Sequence, residues 1–155
     1  MADPVRVYKD DSLLLATDFE GGNGTNPQCL GRDHYALHLE PEPGKHPFSG
    51  VAYYVCFGIQ NCQPAPRTVR IRLVGHIWEI WRRRDWAEQT QHLVVRRGGR
   101  WSLLDPAALH QVEGATDTLD VQLPLPGADE PASALFVSNF HWWPYSEAVR
   151  YLQTL

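Results

Sequence analysis

The feature that most constrains this chain is a period of two. In Tyr35-Ala36-Leu37-His38-Leu39 the residues Tyr35, Leu37 and Leu39 share one face. Thr68-Val69-Arg70-Ile71-Arg72-Leu73 and Leu119-Asp120-Val121-Gln122-Leu123 repeat the pattern. Successive side chains on a strand point to opposite faces, so these segments predict half-buried antiparallel strands, with Arg70 and Arg72 turned to water. Twelve Gly and twelve Pro spread along 155 residues leave helices little uninterrupted room, which excludes a helical bundle. With 43% hydrophobic and 21% charged residues, the chain is neither disordered nor fibrous, and its length suits one domain with a sizeable core.

The remaining segments fit the same class. Residues 50–60 (GVAYYVCFGIQ) are apolar on both faces and predict a central strand covered on both sides. Gly98-Gly99 lies between Leu93-Val94-Val95 and Trp101-Ser102-Leu103. A Gly pair there signals a tight hairpin, because both turn residues can take positive φ. Pro64-Ala65-Pro66 and Pro124-Leu125-Pro126-Gly127 read as loops or edges. Residues 134–140 read as the last strand, and residues 146–155 (SEAVRYLQTL) as a short helix capped by Ser146, with Val149 and Leu152 on its apolar stripe. The expected architecture is all-β: an antiparallel β-sandwich, jelly-roll-like, with about eight or nine strands and one short C-terminal helix. The expected division is a β-sandwich over 1–144 and, over 145–155, a helix that would lead into a further domain.

Charge and composition narrow the function. The net charge of −4 argues against a general nucleic-acid partner, and the apolar runs are far short of a membrane span. No apolar stretch follows a basic N-terminus, so a cytoplasmic location is expected and the sequon Asn23-Gly24-Thr25 is expected to stay bare. Cys29, Cys56 and Cys62 make an odd count without a CxxC pair. They suit a reduced compartment, with Cys56 as a small buried hydrophobe.

Several motifs suggest chemistry. His110-Gln111-Val112-Glu113 matches HxxE, a pattern that supplies two zinc ligands in some hydrolases, but the α/β scaffold for such a site is missing. A solvated loop over 107–118 is expected instead. His34, His38 and Glu40 share a strand face. At about 3.3 Å per residue, His34 and His38 lie roughly 13 Å apart, too far for one ion. His38 and Glu40 could join ligands from another strand, which keeps a small cupin-like metal-binding protein as a weaker alternative; the i, i+2 His pair usual in such sites is not present. Gly21-Gly22-Asn23-Gly24 lacks the GK[ST] of a phosphate loop and reads as a turn with positive φ. Arg82-Arg83-Arg84 near Trp78, Trp81 and Trp86 reads as a solvated edge with Arg stacked on Trp. Trp142 and Trp143 are the candidates for a sugar-stacking platform, which keeps a carbohydrate-binding module as an alternative. Adjacent strand residues point to opposite faces, so at most one of the two joins any platform.

Three segments resemble a known family. Leu15-Ala16-Thr17-Asp18-Phe19-Glu20-Gly21-Gly22-Asn23 is similar to the opening of the N-terminal β-sandwich domain of cytosolic-type zinc metallocarboxypeptidases. The aromatic strand Ala52-Tyr53-Tyr54-Val55-Cys56-Phe57-Gly58-Ile59, followed by residues 67–73, resembles that domain's central strand and its successor. Phe140-His141-Trp142-Trp143-Pro144-Tyr145-Ser146-Glu147 resembles the segment that leads into the catalytic domain. The resemblance implies a non-catalytic accessory domain that packs on a catalytic carboxypeptidase domain of the same polypeptide. It implies zinc only in that parent enzyme, no cofactor in this chain, and no catalytic or metal residue here. The candidate domain interface is Trp142, Trp143, Pro144, Tyr145, Val149 and Leu152.

Overall fold

The computed structural model describes residues 3–41, 55–75, 93–115, 117–139 and 152–154. These form two β-sheets. The strands are β1 (Val7–Lys9), β2 (Leu13–Ala16), β3 (Thr25–Gly31), β4 (His34–His38), β5 (Cys56–Asn61), β6 (Arg67–Val74), β7 (Val94–Arg97), β8 (Arg100–Leu103), β9 (Leu109–Gln111), β10 (Thr118–Leu125) and β11 (Ala134–Ser138). A 3-10 turn, Pro106–Ala108, precedes β9. One sheet has six strands in the order β1-β2-β5-β11-β7-β8. The other has five, in the order β3-β4-β6-β10-β9.

The alternation read from sequence holds where it was strongest. On β6, Val69, Ile71 and Leu73 are buried, and on β10 so are Leu119, Val121, Leu123 and Leu125. They share one buried cluster with Leu13, Leu15, Phe57, Ile59, Leu135 and Val137 of the six-stranded sheet, so the two layers enclose a common core. β5 sits between β2 and β11, with Cys56 and Phe57 both fully buried, as a strand covered on both faces requires. β7 and β8 form the expected hairpin, with Gly98 and Gly99 at φ 55° and 82°. The Gly21–Gly24 turn needs its glycines for space as well as for φ. A Cβ on Gly22 would sit 2.2 Å from the Thr17 carbonyl oxygen.

Two expectations need correction. The sheets are not purely antiparallel, because β4 and β6 pair in parallel, His34 with Arg70 through His38 with Val74. The start of β6 is fastened to the β3–β4 turn. Arg67 donates to the Asp33 carboxylate at 2.8 Å, and the Arg70 amide donates to the Asp33 carbonyl at 2.8 Å. The strands also number eleven among the described residues. β1 and β9, at three residues each, are too short to show a period. The expected C-terminal helix lies almost wholly outside the described residues, where only 152–154 are placed.

Candidate functional site

A polar cluster lies on the outer face of the five-stranded sheet. Asp120, expected to face water, is only 6% exposed. It stands opposite Arg72 in the β6–β10 register, and Arg72 grips it twice, Nε to Oδ1 at 2.8 Å and Nη2 to Oδ2 at 3.0 Å. Arg72 is thus an ion-pair partner rather than a solvated side chain. His34 reaches across from β4. Its Nε2 is buried, makes no hydrogen bond and lies 4.0 Å from Asp120 Oδ1.

The electrostatics follow from that packing. Burial raises the Asp120 carboxyl, but the Arg72 hydrogen bonds and charge, with smaller help from His34 and Arg70, outweigh it and leave the group below the usual carboxylate range. Burial lowers His34. Asp120 opposes the shift, Arg72 and Arg70 add to it, and the ring stays below its ordinary value. The cluster is a carboxylate held ionised by cations beside a neutral imidazole. It contains no nucleophile, and its carboxylate is already occupied by a guanidinium.

A second feature is a cavity of about 830 Å³ lined from β6, β7, β8, the 3-10 turn, β10 and β11. Its lining includes Val95, Leu103, Leu104, Leu123 and Leu135. Arg97 and Glu130, paired at 3.2 Å, stand among its polar residues.

The motifs singled out in the sequence are dispersed. His110 is an exposed residue of edge strand β9, and Glu113 is exposed in the turn that follows it. His34 leans toward Asp120, whereas Glu40 pairs with Arg6 at 2.8 Å. Among the described residues, no three His, Cys, Asp or Glu side chains are grouped to hold a metal ion. Cys56 is fully buried and burial pushes its thiol up to about 12, which makes it inert rather than nucleophilic. Trp101 is described, with the Arg96 guanidinium 5.9 Å from its ring centroid. Trp78, Trp81, Arg82-Arg83-Arg84 and Trp86 lie outside the described residues, as do Trp142, Trp143, Pro144, Tyr145 and Val149 of the candidate interface. Leu152 is described and is 66% exposed.

Sequence reasoning missed the Asp120 cluster. An Asp in an outward register reads as solvated, and the cross-strand Arg that buries it is 48 residues away. Only the β6–β10 pairing shows that Arg72 and Asp120 are neighbours.

No family model and no curated protein matches the chain. Solved structures do. A metallo-carboxypeptidase from Burkholderia cenocepacia aligns over 92% of this chain with a TM-score of 0.62 at 10% identity. A second structure, assigned as a carboxypeptidase, from Burkholderia mallei ATCC 23344 aligns over 92% with a TM-score of 0.56 at 11% identity. The chain spans about a third of the length of each, 33% and 32%. It therefore shares the fold of one portion of these carboxypeptidase chains.

Proposed function

We propose that this chain is a β-sandwich accessory domain, itself non-catalytic, that packs on and supports the catalytic domain of a cytoplasmic zinc carboxypeptidase. The observation that carries the reading is the pattern of coverage. Nearly all of this chain aligns with a carboxypeptidase chain, yet it accounts for only a third of that chain. Removal of C-terminal residues from peptides or proteins, with zinc as the metal, would belong to the remainder of the parent polypeptide. Among the described residues no third ligand stands with His110 and Glu113, which supports assigning no chemistry to this portion.

The segment from Trp142 to Leu152 is the proposed meeting surface. Each large apolar side chain left in water forgoes about 1.5–3 kcal/mol of burial, so Trp142, Trp143, Pro144, Tyr145, Val149 and Leu152 gain most from a partner domain. Hydrogen exchange on this chain and on a longer one carrying the following domain tests the reading. Added protection across 142–155 in the longer chain is expected. Unchanged exchange there would overturn the interface. One equivalent of tightly held zinc in the 155-residue chain, lost on His110→Ala, would overturn the non-catalytic role.

A further inference from the structure

We draw no further inference here: the strongest candidate, the cavity of about 830 Å³ lined from β7, β8, the 3-10 turn and β10, carries nothing, because its apolar residues Leu123, Leu125 and Leu135 are closed core side chains, its Arg97 and Glu130 are paired with each other, and nothing in the structure shows what would enter it.

Discussion

The outer faces of the two sheets follow opposite rules. In the five-stranded sheet the middle strands carry His34, Arg70, Arg72 and Asp120 on the side away from the core, and the carboxylate is kept there by ionic contacts. In the six-stranded sheet the corresponding middle positions are Cys56 and Ser138, opposite one another across β5 and β11. They alternate with the core residues Phe57 and Val137, yet are fully buried. Beside them Phe19 and Phe136 meet edge to face at 5.3 Å. One sheet is dry on both sides at its centre, and the other is dry inside and ionic outside. The same alternating backbone thus accepts charge only where a cross-strand partner neutralises it.

The largest effect should come from forcing the ionic rule on the dry sheet. Cys56→Asp buries a carboxylate beside Ser138 and Phe57, neither of which supplies a charge, and a loss of about 3–5 kcal/mol is expected in chemical denaturation. Cys56→Val should cost less than about 1.5 kcal/mol. If the two variants were equally stable, the contrast between the faces would collapse.

A smaller loss, about 2–3 kcal/mol, is expected for Asp120→Ala, since Arg72 keeps some access to solvent once its partner is gone. Arg72→Met combined with Asp120→Leu should recover most of it. Failure to recover would mean that the cluster does more than satisfy itself.

The smallest effect is the pH dependence. His34 titrates below its ordinary value in the folded chain, so its neutral form is favoured there. That stability is complete above pH 6.5 and is lost as pH falls through the folded value. Asp120 is also lowered, so its contribution is present above 3.8 and is lost below it. His34→Gln should flatten the upper window alone. A melt whose slope below pH 6.5 is the same in both proteins would remove His34 from the account.

Legibility in the sequence followed the range of the interactions. Gly98-Gly99 announced its hairpin because the turn is local. Val69, Ile71 and Leu73 announced their face because burial repeats along one strand. The parallel β4–β6 pair left no such trace, since the contacts of Asp33 with Arg67 and Arg70 join a turn to a strand 34 residues on. For the same reason Asp120 read as solvated. The resemblance to a carboxypeptidase accessory domain came from short motifs spread along the chain, and the shared fold agrees with it at 10–11% identity. The aromatic segment from Trp142 to Tyr145 lies outside the described residues, so its role rests on composition.

The parallel pair also bears on how the chain folds. β4 and β6 are neighbours in one sheet, but β5, which lies between them in sequence, belongs to the other. Neither sheet can be completed by a continuous stretch of chain. β11 comes to rest between β5 and β7, and β10 between β6 and β9, so each layer waits for strands made late in synthesis. Such non-local closure slows folding, and it leaves no half of the molecule able to stand alone. A cut anywhere between β4 and β10 would remove strands from both layers at once, and the two sheets should therefore appear and vanish in a single transition.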